Sequence, residues 1–324
     1  MIIRCITSLI ISSFVLLSSC YSWGLGLPLG KITLKVIDEN GQAVEGASLG
    51  IGFERNTGWG TAKIPVNGIT GKEGTFTGSA KTINYASFIV RKAGYYESQG
   101  VYRFKEEKAG RWQPWNPEIT VVMRKIENPV PMYARDLHMT HPGVEIPVVG
   151  KEVGFDLTEY DWIDPYGNGK HADMIFKLTR RVSGEFDYDG TLTITFPERF
   201  DGIQVYKDDR KWGSAFKLPR FAPERDYGRK LVRTIECKDI GTLKSNFSDD
   251  NNYFFRVRSQ EKDGKLWRAM YGKIQGDIKF YLTKKSATID FRYFLNPDYT
   301  RNLEWNRTNL FEDLKSFEQV GSDY

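Results

Sequence analysis

From Lys31 onward, apolar residues recur at every second position in short runs broken by turn formers. Ile32, Leu34 and Val36 alternate with Thr33 and Lys35 before the turn Asp38-Glu39-Asn40-Gly41. A period of two predicts a half-buried strand. Val44, Ala47 and Leu49 follow, and Thr70-Gly71-Lys72-Glu73-Gly74 marks a second turn before Thr75-Phe76. Phe88 to Lys92 then runs into Ala93-Gly94-Tyr95-Tyr96, and Ile119 to Met123 closes this half. The same habit returns later at Met174, Phe176 and Leu178, at Leu192, Ile194 and Phe196, at Tyr253, Phe255 and Val257, and at Ile289, Phe291 and Tyr293. Antiparallel sheets with one wetted face are expected. Only Leu310 to Phe317 carries a brief helical pattern.

Glu127-Asn128-Pro129-Val130-Pro131 reads as a semi-rigid linker, because two prolines hold the backbone extended. The expected plan is a signal peptide over 1–19, a tether over 20–30, a β-sandwich over 31–125, the linker over 126–131, and a second β-rich domain of no recognised family over 132–324. The fold class is all-β, with two antiparallel β-sandwich-like domains in tandem after a cleaved signal peptide.

The leader is a separate piece of grammar. Arg4 supplies one positive charge, and Ile6 to Leu17 is apolar apart from small hydroxyl residues. That length suits an export signal and is short for a membrane span. It ends in Leu17-Ser18-Ser19-Cys20, which resembles the bacterial lipobox. In such proteins the cysteine thiol receives diacylglycerol after cleavage. Cys20 is therefore the expected lipidation site, and Tyr21 to Leu29 a short tether. The competing reading is ordinary cleavage near Ser19 or Ser22, with Cys20 incidental.

A second resemblance covers Lys31 to Lys125. The marks are Ile32-x-Leu34-x-Val36-x-Asp38-x-x-Gly41-x-x-Val44-x-Gly46-Ala47, then Thr70-x-x-x-Gly74, then Val90-x-Lys92-x-Gly94-Tyr95. In order and spacing they resemble the carboxypeptidase regulatory-like domain, which has a transthyretin-like β-sandwich fold. The resemblance implies a spacer, adhesion or accessory unit without catalysis. Two excursions depart from the pattern, Glu54 to Asn67 and Tyr102 to Pro117, and both are expected as loops off the sandwich.

Composition narrows the classes. The chain has 324 residues, 40% hydrophobic, 27% charged and 14% aromatic, and this is globular rather than disordered. A formal net charge of +5 gives no case for nucleic acid. The cysteines are Cys5, Cys20 and Cys237. With the first two in or at the leader, no internal disulfide is expected and the cores must carry stability. Cys237 reads as a packing residue.

The densest polar segment runs from Asp161 to Asp173. Asp161, Asp164, Asn168 and Asp173 could gather around calcium, while Trp162 and Tyr166 could stack on a sugar, and His171 is a further possible ligand-binding residue of the segment. The plainer reading is a structural turn built from Asp164-Pro165 and Gly167-Asn168-Gly169. Trp112 and Trp115, separated by Gln-Pro, could grip a glycan or a partner protein, or fold back over the sandwich. His138 and His141 stand three apart without the helix or the glutamate that a zinc site of that type needs. No nucleophile elbow, phosphate loop or Cys-x-x-Cys is present. No catalytic or metal residue is therefore named.

These observations converge on an exported lipoprotein of the bacterial cell envelope, anchored to a membrane, with a non-catalytic binding or scaffolding role toward a glycan or an envelope protein. The alternatives are a carbohydrate-active or other hydrolytic enzyme with its site in the second domain, and a subunit of an envelope assembly.

Overall fold

The computed structural model describes residues 26–136, 143–207 and 213–321. The leader, Cys20, His138 and His141 lie outside the described residues. In chain order the strands are β1 (Leu29–Asp38), β2 (Ser48–Thr57), β3 (Gly60–Ile69), β4 (Thr75–Lys81), β5 (Tyr85–Arg91), β6 (Ser98–Arg103), β7 (Glu106–Lys108), β8 (Arg111–Gln113) and β9 (Glu118–Met123). After them come β10 (Val130–Asp136), β11 (Val144–Glu145), β12 (Glu152–Asp156), β13 (Asp161–Trp162), β14 (Met174–Gly184), β15 (Asp187–Thr195) and β16 (Gly202–Lys207). The last are β17 (Gly213–Ser214), β18 (Lys230–Cys237), β19 (Lys244–Ser245), β20 (Asn251–Lys262), β21 (Lys265–Leu282), β22 (Ala287–Asn296) and β23 (Trp305–Asn309). The chain is all-β, and its sheets are largely antiparallel.

Two sheets enclose the first core. In one, β1 pairs antiparallel with β4 and parallel with β9, and meets the small β7–β8 hairpin. The other has the order β17-β6-β5-β2-β3. Ile32, Leu34 and Val36 of β1 face Leu49, Ile51 and Phe53 of β2, and all six are buried. At roughly 1.5–3 kcal/mol for each large side chain removed from water, this alternation stabilises the pairing and fixes its register. The excursion over Glu54–Asn67 is not a loop. It is the distal part of the β2–β3 hairpin, and the second excursion carries the β7–β8 hairpin.

The second core lies between a sheet of order β16-β20-β21-β22-β10-β23, with β11 beside β22, and one of order β13-β12-β14-β15-β18-β19. Here the expectation of one wetted face fails in the central strands. Phe254 and Arg256 of β20 are buried, and so is Phe294 of β22, on the side away from Tyr253, Phe255 and Tyr293. Leu218, Ala222 and Leu303 pack over that outer face at Phe254, and Phe216 and Trp305 do so at Phe294. The predicted helical stretch, Leu310–Phe317, is turns and bends instead. Asn309 Oδ1 accepts from Phe311 N (3.1 Å) and the Glu318 carboxylate from Lys315 N (3.0 Å). Such side-chain bonds compete with a helical turn.

The two halves interlock. Ser214 of β17 pairs with Ser98 of β6, so a piece of the later chain extends the first half's sheet. Tyr96, Met132, Phe216, Phe294 and Trp305 form a shared apolar cluster beside it. Within it Glu304, fully buried, accepts from Tyr96 Oη (2.8 Å) and from the amides of Glu127 and Asn128 (both 2.9 Å).

Candidate binding site

The acidic segment that stands out in the sequence folds around Arg258. That residue sits at a register shift in β20 with φ +51°, a left-handed conformation that is strained for a branched-chain or long residue and costs of order 1 kcal/mol or more. The bulge turns its guanidinium toward two buried carboxylates. Arg258 Nε donates to Asp173 Oδ1 (2.7 Å), and Nη2 donates to Asp156 Oδ1 (2.8 Å) and Asp173 Oδ2 (2.9 Å). Its own amide donates to Asp201 (3.1 Å).

These carboxylates are saturated. Asp156 accepts from the amides of Thr158, Glu159, Lys170 and His171, at 2.9–3.1 Å. Burial pushes its carboxyl up, but the Glu159 amide and the Thr158 hydroxyl and amide outweigh that and hold it at about 2. Asp173 and Asp201 move the other way, raised chiefly by burial. One lowered and one raised acid side by side is the pattern of an acid–base pair. Here, however, the lone pairs point at fixed amides and at Arg258, so the cluster pins the 156–173 loop to β20.

Asp161 is likewise spent on its own turn. Oδ1 accepts from Trp162 N (2.8 Å) and Oδ2 from Asn168 N (2.8 Å), and Gly167 and Gly169 let the chain close over it. Among the described residues no group of three or more His, Cys, Asp or Glu side chains is placed to hold a metal ion. The Trp162 ring faces the core rather than the surface. Trp162 is 6% exposed, edge-on to Phe155 and Phe176 at 5.0 and 5.7 Å, with Nε1 on the Glu145 carbonyl. Asp164, Tyr166 and Asn168 stay on the surface and His171 is half-buried. They share a loop with Trp162 but lie outside the core that buries its ring. Trp112 folds back, stacked on Phe104 with Nε1 on Thr82 O (2.8 Å). Trp115 is partly exposed between Arg111 and Lys31. Cys237 is buried and unpaired with any other cysteine.

A polar cleft of about 310 Å³ beside the β21 register shift gathers Asp249, Asp277, Lys279 and Asp290. Asp277 is already engaged by Tyr253 Oη (2.5 Å), Ser248 N (2.6 Å) and Arg233.

A roomier concavity than this cleft lies on the outer face of β3-β2-β5-β6, with a volume of about 650 Å³. Gly50 and Gly52 alternate along β2 with the buried Leu49, Ile51 and Phe53, so two successive outward positions of the strand carry no side chain. Asn67 and Pro65 of β3 stand opposite them on one side, and Ile89 and Ser87 of β5 on the other. Lys63, Tyr85, Gln99 and Val101 extend the walls. The result is a trough along β2, floored by backbone and walled by mixed polar and apolar groups. A Cβ at Gly52 would press on Lys63 Cδ (3.0 Å) and Ser87 Oγ (3.2 Å), so larger residues there occupy the trough. None of its residues stands out by residue type in the sequence. The signal was Gly50-x-Gly52 within an alternating apolar run, a pattern that leaves one face of a strand bare.

No family model matches the chain, and no curated protein is similar to it. Among solved structures, the shaft pilin spaA from Lactobacillus rhamnosus GG, in a mutant form, aligns with 77% of this chain and 94% of that chain, at 12% identity and a TM-score of 0.23. A superposition that loose assigns no shared role.

Proposed function

We propose that this chain is a non-catalytic binding protein of the bacterial cell envelope, lipid-anchored through Cys20, that holds an extended glycan along the β2 trough. The observation that carries the reading is the contrast between the two polar features. The carboxylates of the 156–173 segment are consumed by structural hydrogen bonds, whereas the trough is open and presents amide, hydroxyl and ammonium groups beside Tyr85 and Ile89. Mixed donors and acceptors around one aromatic ring suit a hydroxyl-rich ligand.

The carboxypeptidase regulatory-like resemblance gains support from where its marks fall. Asp38 accepts from the amides of Asn40 and Gln42, at 2.9 and 3.0 Å. Thr70 Oγ1 donates to Val44 O and accepts from Ala47 N, tying the second strand's entry to the next turn. Gly74 has φ +70° and its missing Cβ would collide with the Val36 carbonyl. The leader pattern supports export and the anchor.

The test is a panel of bacterial envelope glycans, solubilised peptidoglycan included, probed with the chain from Tyr21 onward and with its Gly52→Leu variant. The reading expects binding by the first and at least a tenfold loss (about 1.4 kcal/mol) in the second. Equal binding by both removes the trough.

A further inference from the structure

The end of the first sandwich from which the chain emerges bears a projecting hairpin with a tryptophan at its tip. β1 runs away from Leu29, and β2 returns to that same end. Thr82 marks the meeting point, its amide donating to Pro28 O (3.0 Å) and its hydroxyl to Glu54 O (2.8 Å). The pairing of β2 with β5 stops at Phe53 opposite Ala86. Beyond it only β3 accompanies β2, through Arg55 opposite Ala62, Asn56 opposite Thr61 and Thr57 opposite Gly60. At the rise of a strand, the pairs past Glu54 project about 10 Å. Trp59 at the tip is 102% exposed, the most solvated large apolar residue among those described. Tryptophan is ordinarily largely buried, and this ring adds nothing to any core.

The surroundings are cationic. The register brings Tyr85 opposite Arg103 and Leu29 beside Arg111 to this end. Residues 54–63, 81–85 and 103–113, which cluster there, carry seven lysines and arginines against three glutamates. The later half of the chain is joined at the other end. β9 runs parallel to β1 and finishes at Met123, next to Arg124, whose Nε meets Glu39 at 2.8 Å. The hairpin end is therefore clear of it.

We propose that this end faces a lipid bilayer, with Trp59 entering the interfacial zone and the surrounding cations meeting anionic headgroups. An indole suits that zone because its ring is apolar and its N–H can stay hydrated. Each nearby cation gains from an anionic surface within a Debye length. The geometry in the cell rests on the proposed anchor. Cys20 precedes Pro28 by eight residues, a tether of about 28 Å even when fully extended. A lipid on Cys20 keeps the Leu29 end at the surface, and the hairpin reaches ahead of it.

The test uses the chain from Tyr21 to Tyr324, which lacks Cys20 and keeps every described residue. It is floated with vesicles of phosphatidylethanolamine and phosphatidylglycerol, and with vesicles of phosphatidylcholine alone. The expected result is binding to the anionic vesicles that weakens with salt, falls roughly tenfold in Trp59→Ala, and is unchanged in Trp267→Ala, an exposed tryptophan of the later half. Trp59 makes no core contact, so an unaltered circular dichroism spectrum is expected for its variant. Absence of vesicle binding, or equal binding by Trp59→Ala, overturns the surface; capture of an envelope protein through Trp59 without vesicle binding overturns it in favour of a protein partner. Fatty-acid labelling of the full chain reports the anchor separately. An unlabelled chain that still binds vesicles through Trp59 would sink the anchor and leave this surface standing.

Discussion

Arg220 Nη1 lies 2.5 Å from the fully buried carboxylate of Glu304, and this pair clasps the two halves of the chain. The same guanidinium donates from Nη2 to Lys125 O (2.8 Å) and Glu39 (3.1 Å) of the first half. Burial pushes the Glu304 carboxyl up, but Arg220, the Asn128 and Glu127 amides and Tyr96 outweigh that and hold it below its ordinary value. Removing one partner strands the other charge. Arg220→Ala is expected to cost about 3–5 kcal/mol in urea denaturation, and Arg220→Met with Glu304→Gln considerably less. Hydrogen exchange of Glu127 and Asn128 should quicken in the single variant.

Beside this pair Lys273 is fully buried, its Nζ 4.6 Å from the Phe216 ring centre and 4.9 Å from that of Phe294, with Leu303 O as acceptor (3.1 Å). Burial, helped by Arg124, lowers its pKa well below 10.5. A depressed folded pKa gives stability that is present above the unfolded value and lost as pH falls. Lys273→Met is therefore expected to match or exceed the wild type at neutral pH by about 1 kcal/mol. The advantage should shrink as pH rises toward 10.5, where thermal denaturation at several pH values would show it.

For Asp156 the window lies at the acid end. Its folded value of about 2 sits below the ordinary 3.8, so its contribution is present above 3.8 and lost as pH falls through about 2. Across that interval the wild type should lose about 2 kcal/mol relative to Asp156→Asn, read from denaturation midpoints. A parallel pH dependence in the two proteins would mean that the amide cage does not act on the ionised form.

Trp162→Ala should behave as a core truncation. Edge contacts to Phe155 and Phe176 and the bond to Glu145 O disappear together, an expected loss of about 3–5 kcal/mol by chemical denaturation. Ligand binding by the molecules that remain folded should be unaffected.

The strands were legible because burial writes itself as alternation. Ile32, Leu34 and Val36, or Met174, Phe176 and Leu178, announce an inward face whatever lies across from them. What covers the other face was not legible, since Phe216 and Leu218 reach Phe254 and Phe294 across more than thirty residues of chain. The site misled for a related reason. Asp161 and Asp173 look like ligands by residue type, and only geometry reveals that amides and Arg258 have taken their oxygens. Gly50 and Gly52 look like nothing at all, yet the absence of a side chain is what opens the trough. The Glu54–Asn67 segment read as a loop because its outer pairs, Glu54 to Thr57 against Gly60 to Lys63, show no apolar alternation, and only Ile64 and Val66 reach the core.

The trough as the binding site is the central claim, and hydrogen–deuterium exchange with and without a bound envelope glycan tests it most directly. Slowed exchange confined to residues 48–53, 63–67 and 85–89, and abolished by Gly52→Leu, is the expected result. Protection centred on 161–173 with those strands unchanged, or no binding to any envelope glycan, would contradict it.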